Sequence, residues 1–468
     1  MRRTLLSFFA GALVLGAAAC SFTTGAGFNE CATDVDCGPG MACVKAFCLP
    51  LPDGCRREAG VFNKADRIPL LSVQPRTLST SDGGTTTDES EVQALHAMTL
   101  AVEEANTFGG LKGRPFGLFF CDTFDDNERG AAQAGWMVKN AGVPAIITSG
   151  SGLTTNVANQ PDRLAAQTMI ISNSSTSASL VALFRSDGNV WRLAPDDTQQ
   201  AAVLAGEVAQ ATAGNVNLKV VILYVNSVYG TSFEPALRDE LTRRGRLPAG
   251  VRFDENLDQT DAITRITEVE NQSPVATVIV GFPKDVIALV SEGSRRAKLT
   301  RANGHRWFLA DAAKDPVIIT PVTRPELEAS IGTAPAQGAG AAFGSFSDAF
   351  FTRFGVRPDT YSFTSHAYDA AWLTMGAAAW ASQNGGGITG ARMREGMARI
   401  SQAGSPPLRL LASNWTELST SLSSGTAVNV EGSSGALDYN LDAGTPSAPY
   451  EVWQVLDGGI STVRLVTP

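Results

Sequence analysis

Residues 145–176 read AIITSGSGLTTNVANQPDRLAAQTMIISNSST: buried strand, small polar loop, short helix, buried strand, small polar loop. Ala145 to Ile147 and Met169 to Ile171 are short apolar runs bounded by turn residues. That pattern suits strands covered on both faces of a parallel sheet. Each run ends in a cluster of Gly, Ser and Thr. In an open parallel sheet such loops lie side by side at the carboxyl ends of the strands, where ligands bind. Hydroxyls and bare N–H groups at a helix start can hold a carboxylate or another small anion. Ordinary helix–strand connections read the same way. Two uncharged Ser/Thr-rich loops in succession set a binding cradle beside that plainer reading.

The alternation extends outward from this stretch. Ile68 to Val73 is a strand candidate, followed by a polar loop from Thr77 to Thr87. Ser90 with Gln93 reads as a capping box, and Val92, Leu95, Met98, Val102 and Ala105 recur at helical spacing. Phe116 to Cys121 is the next strand, and the acidic loop Asp122 to Asp126 reads as solvated rather than metal-binding. Asn189 to Leu193, Lys219 to Tyr224, Val275 to Val280 and Trp307 to Ala310 continue the strand series. Asp196-Asp197 caps a helix expected to run through Ala211. Residues 346–401 are helical and Ala-rich, with Tyr368, Trp372, Met375 and Ala379 as a core stripe. Ala436 to Tyr439 and Tyr450 to Val455 read as terminal strands. The class is α/β with parallel sheets, and the units are too many for one sheet of usual size.

The N-terminus has a separate logic. Arg2 and Arg3 precede an apolar stretch, Leu5 to Leu15, too short to span a bilayer as a stable helix. Ala17-Ala18-Ala19 before Cys20 resembles a bacterial lipoprotein cleavage site, although Ala17 stands where Leu is usual. Residues 1–20 are therefore expected to be a lipoprotein signal peptide, with lipid on Cys20 and membrane contact through that lipid only. Cleavage after Ala19 without lipidation is the alternative. Six cysteines remain: Cys31, Cys37, Cys43, Cys48, Cys55 and Cys121. An exported chain meets an oxidising compartment, so these are disulfide candidates, with Cys55 and Cys121 left open as a tie to the main domain. No CxxC pair or neighbouring His supports a metal. Residues 21–60 read as a disulfide-stapled spacer, since so short a piece cannot build a core.

Other chemistry is missing. There is no GxSxG elbow, HExxH motif or Walker loop. Gly385, Gly387 and Gly390 match GxGxxG, but after a helix rather than a strand, so no dinucleotide is implied. Of the three histidines, His96 and His366 read as structural, and none of the three has a partner at metal or triad spacing. The net charge of −9 argues against nucleic acid as a partner. The expectation is a non-enzyme without cofactor or metal.

Several segments together carry a family resemblance. AVEEANTFGGLKGRPFGLFFCDTFDD (101–126) resembles the first helix and second strand of periplasmic binding proteins of the leucine/isoleucine/valine type. AIITSGSGLTT, IISNSSTSASL, WRLAPDDTQQAAVLA, VVILYVNSVYGTSF, SHAYDAA and SSGALDYNLDAG continue the likeness over about 67–460. The resemblance implies two Rossmann-like lobes joined by three crossovers, near 193–196, 318–342 and 410–420. Lobe one would comprise 67–192 plus 340–412, and lobe two 196–320 plus 416–468.

It also implies a site. Ser151 or neighbouring Gly152, with Thr154 just beyond, falls where the family binds a carboxylate. Ser174 and Thr176 fall on the next loop, Tyr229 on the second lobe's Tyr-Gly turn, and Phe282 on the following loop. Asp311 falls near the acidic partner of an ammonium, one position out of the simplest register; a helix cap is its alternative role. The implied ligand is small and polar: an amino acid, or a related amide or acid. The implied role is capture for an ABC permease by an exported, lipid-anchored envelope protein. The alternative is a sensor or surface interaction protein that keeps the fold without transport.

Overall fold

The computed structural model describes residues 30–80, 83–213, 217–400 and 406–467. The expected signal peptide and Cys20 lie outside the described residues. Two sheets organise the chain. The first has the order Val190–Arg192, Met169–Ser172, Ala145–Thr148, Ile68–Gln74, Phe116–Asp122, Cys55–Gly60. All its pairings are parallel except the last. The second runs Arg246–Phe253, Leu218–Val225, Ala276–Val280, Arg306–Leu309, Ile331–Pro335, Tyr450–Leu456, Gly459–Val466. Its first five strands are parallel and its last two antiparallel. This is the two-lobe α/β architecture of periplasmic binding proteins of type I. Ala145–Thr148 and Met169–Ser172 are buried at every position, as strands covered by helices on both faces must be.

The first lobe's helices show why its core is tight. Helix Glu89–Thr107 buries Leu95, Met98 and Val102 against helix Thr364–Ala381. That second helix is buried on nearly every side, and its alanines let neighbouring backbones approach closely. Tyr368, Trp372, Met375 and Ala379 are all core residues. The expected Ser90–Gln93 box does not form. Asp88 is the N-cap, its carboxylate accepting from the Ser90 and Glu91 N–H groups at 3.0 and 3.3 Å. Ser90 Oγ donates to the same oxygen at 2.6 Å.

Two boundaries differ from the expected ones. Residues 416–440 were expected in lobe two, yet Trp415, Leu418, Leu422, Val430, Leu437 and Tyr439 pack into the first core. Trp415 also donates its indole N–H to the Gly110 carbonyl at 2.8 Å. The last change of sheet therefore falls after the hairpin pair Tyr439–Asn440 and Thr445–Pro446, not at 410–420. The reason is apolar: helix Trp415–Ser423 buries one face against helix Thr364–Ala381.

The Cys-rich piece is likewise more than a spacer. Its hairpin, Met41–Val44 with Phe47–Pro50, contributes Ala42 and Val44 to a core shared with Val73, Phe119 and Ile146. Its end, Cys55–Gly60, is the edge strand of the first sheet. The six cysteines pair as Cys31–Cys43, Cys37–Cys48 and Cys55–Cys121. The acidic loop is structural too: Asp122 accepts from Thr77 N and Oγ1 at 3.1 and 2.7 Å, and Asp126 caps helix Asn127–Trp136. Among the described residues, no helix is long and apolar enough to cross a membrane.

Candidate ligand-binding cleft

A cavity of about 410 Å³ opens where the carboxyl ends of the two sheets face one another. Strand Ala145–Thr148 delivers Ser149 and Gly150 to its wall, and helix Ser151–Ala158 starts there. Gly150 holds φ 67° and ψ 147°, a conformation only glycine adopts readily, and it turns the chain sharply into that helix. The helix therefore opens its first turn, with its spare N–H groups, at the cleft. The neighbouring loop is locked to it. Ser174 Oγ accepts from Gly150 N at 2.9 Å, and Ser151 Oγ accepts from Ser177 N at 3.2 Å.

Seven of the eight expected residues line this cavity: Ser151, Gly152, Ser174, Thr176, Tyr229, Phe282 and Asp311. Thr154 does not. It is fully buried one helical turn deeper, its hydroxyl bonded to Thr148 Oγ1 and Ser175 Oγ at 2.8 Å and to Ser172 Oγ at 3.2 Å. Those bonds fix the two loops together, so Thr154 supports the wall from behind.

The opposite wall is built on Asp311. It is buried, accepts from Tyr229 Oη at 2.5 Å and from Gln200 Nε2 at 3.2 Å, and is not a helix cap. Burial pushes its carboxyl up to about 6, against the pull of the Tyr229 hydrogen bond. Asp197 lies close enough to repel it, and neither Asp197 oxygen has a hydrogen-bond partner. Burial followed by that repulsion drives Asp197 well above the usual carboxylate range. The Thr176 hydroxyl and the Arg192 charge act the other way, the hydroxyl without reaching bonding geometry. Tyr229 and Phe282 form an aromatic side to the cavity, with ring centroids 6.0 Å apart.

Two polar atoms in the first wall have no partner: Ser149 Oγ and Asn173 Oδ1, each on a residue 1% exposed. Both residues border the cavity. An unmet buried polar atom costs about 1–3 kcal/mol, so each is a place for a ligand atom. Asn173 stands next to Ser174 and Ser149 two positions before Ser151, residues that sequence reasoning did select, and their Ser/Asn chemistry was visible there. Glu91 also borders the cavity. Its sequence position, in the first turn of an amphipathic helix, reads as solvent-facing. Only the pairing of strands aims that turn at the cleft.

Contacts across the cleft hold the lobes together. Ala178 N donates to Ser232 Oγ at 3.1 Å, Ser362 Oγ to the Asp311 carbonyl at 3.0 Å, and Lys284 pairs with Asp125 at 2.9 Å. Lys314 reaches the Asp359 carbonyl at 3.3 Å and Glu451 at 2.5 Å.

A family model for periplasmic binding proteins matches residues 78–458. The chain belongs to the periplasmic binding protein family. The family is one of substrate-binding proteins, not enzymes, and it implies an extracytoplasmic location. The chemotactic signal transduction system substrate-binding protein BasB of Halobacterium salinarum is 26% identical over 376 residues, covering 79% of this chain and 84% of BasB. The leucine-binding protein LivK of Thermotoga maritima superposes with a TM-score of 0.66 at 18% identity, over 86% of this chain and 99% of its own. LivJ of Streptococcus pneumoniae, solved with isoleucine, gives 0.66 at 17% identity, over 86% and 100%. These structures share the fold with this protein.

Proposed function

We propose that this protein captures a small polar ligand of the amino-acid type between its lobes and presents the closed form to an ABC permease. Ser151, Gly152, Ser174 and Thr176 would hold the ligand's carboxylate or amide end. Tyr229 and Asp311 would hold its amine, and Phe282 would cover its body. Cys20 would carry the lipid that keeps the protein at the envelope. The observation that supports this most directly is the pair of unmet atoms, Ser149 Oγ and Asn173 Oδ1, on residues that border the same cavity as the Asp311 carboxylate. A buried carboxylate favours a cationic partner, and an ammonium supplies one. A ligand that touches both walls favours the closed state by its differential affinity.

A sensor role is the second reading. It is favoured by the similarity to BasB, whose name assigns it to chemotactic signalling. Both readings need the same ligand test. The intact, ligand-stripped protein is screened by thermal shift against α-amino acids, their amides and short acids. A ligand at about a hundred times its Kd adds about 2.7 kcal/mol of stability, visible as a shift of a few degrees. Asp311→Asn and Tyr229→Phe should each abolish or strongly reduce the response. A flat panel overturns the proposal. A pull-down of permease or receptor by the loaded form separates the two roles.

A further inference from the structure

One end of the cleft is acidic beyond what an amino group needs. Asp88, Glu89, Glu91 and Asp315 border the cavity in addition to Asp311, with Asp315 near enough to Asp88 and Glu89 to feel their charge. Among the described residues, none of the four forms an ion pair. The two lysines that border the cavity are committed elsewhere, Lys284 to Asp125 and Lys314 to Glu451. The caps take up part of this charge: Asp88 Oδ1 holds the start of the first helix, and Asp315 Oδ1 accepts from Val317 N at 2.7 Å. Glu91 has no such task. Its Oε2 is buried without a partner, and so is the adjoining Ser149 Oγ, on a residue 1% exposed. Ser149 lies close enough to Glu91 to act on its carboxyl, yet neither atom completes a hydrogen bond. The cavity also has an apolar lining from Leu78, Ala94, Leu153 and Phe363.

We infer that the ligand is an α-amino acid with a cationic group at the end of an aliphatic side chain, and that Asp88, Glu91 and Ser149 receive that group. The inference rests on the solute-binding reading and names its substrate class. The reasoning is electrostatic. An apolar side chain would leave Glu91 Oε2 and Ser149 Oγ unmet in the loaded form. An ammonium or guanidinium would donate to both and balance the Asp88–Glu91 repulsion. Burial and that repulsion raise the Glu91 carboxyl to about 8, so a cation bound beside it would displace a proton to solvent.

The test is calorimetric titration of the intact protein with L-lysine, L-ornithine and L-arginine. L-norleucine and L-citrulline serve as matched chains without the charge. At least one cationic member should bind ten-fold or more tightly than its neutral match, and its affinity should rise from pH 6.5 to pH 8.5. Glu91→Gln, which keeps the side chain's shape, should erase that preference and its rise with pH. Binding of norleucine or leucine at least as tight as lysine overturns the cationic inference and leaves the solute-binding reading standing. An unchanged preference in Glu91→Gln removes Glu91 from the role. No heat with any α-amino acid, from protein that unfolds cooperatively, overturns both readings together.

Discussion

Replacing Glu91 by Gln should change how the ligand-free protein responds to pH. Burial and the charge of Asp88 raise the Glu91 carboxyl from 4.5 to about 8, with Asp122 adding to the repulsion and Ser149 acting against it. Between those values the folded state holds a proton that the unfolded chain has released. Stability from this group is therefore fully present below about pH 4.5 and is lost as pH rises towards 8. Each pH unit inside that window costs about 1.4 kcal/mol, and the whole shift sets a ceiling near ~5 kcal/mol. Coupling to Asp88 spreads the titration, so a loss of about 2 kcal/mol between pH 5.5 and 7.5 is the working figure. Other raised carboxyls, such as Asp285 at about 7 and Glu104 at about 7, have the same sign but stay in both proteins. They cancel in the difference. Urea unfolding of wild type and Glu91→Gln at pH 5.5, 6.5, 7.5 and 8.5 gives that difference directly. The variant's advantage should grow by about 2 kcal/mol between pH 5.5 and pH 7.5 and level off above pH 8. Stability curves that run parallel across this range would refute the claim that the Glu91 carboxyl is desolvated and protonated near neutral pH.

The Cys55–Cys121 disulfide closes a sequence separation of 66 residues, and removing it as Cys55→Ser with Cys121→Ser should cost about 4 kcal/mol in denaturant unfolding. Lys314→Met strips the partner from Glu451, whose side chain is only 3% exposed, and should cost about 3–5 kcal/mol; adding Glu451→Gln to Lys314→Met should recover part of that. Gly150→Ala meets no atom within 4 Å, so its cost comes from backbone conformation alone. It should destabilise by about 1–3 kcal/mol and weaken ligand binding with it, since the same turn opens the helix at the cleft.

Much of the site was legible because its polar loops follow short apolar strands. Ser151, Gly152, Ser174 and Thr176 reach the cavity from loops that announce themselves by composition. Thr154 looked equivalent in the sequence but lies a helical turn further on, which rotates its hydroxyl into the bonds with Thr148 and Ser175. Asp311 was recognisable only by resemblance, and its contact with Tyr229 joins residues 82 positions apart. The boundary near 416 misled because a short helix and sparse strands carry no label of the lobe they join. Trp415 settles that through burial against Phe116 and Trp372.

By itself, the sequence determined the alternation of strands and helices, the parallel class, and the loops that end at the cleft. Those properties are local: periodicity, turn residues and caps act over a few positions. The tertiary structure decided which cysteines pair, which core receives residues 416–440, and that an ordinary-looking glutamate in a helix's first turn faces the cavity. Those outcomes depend on which surfaces exclude water together, and burial between segments far apart in the chain has no signature within either segment.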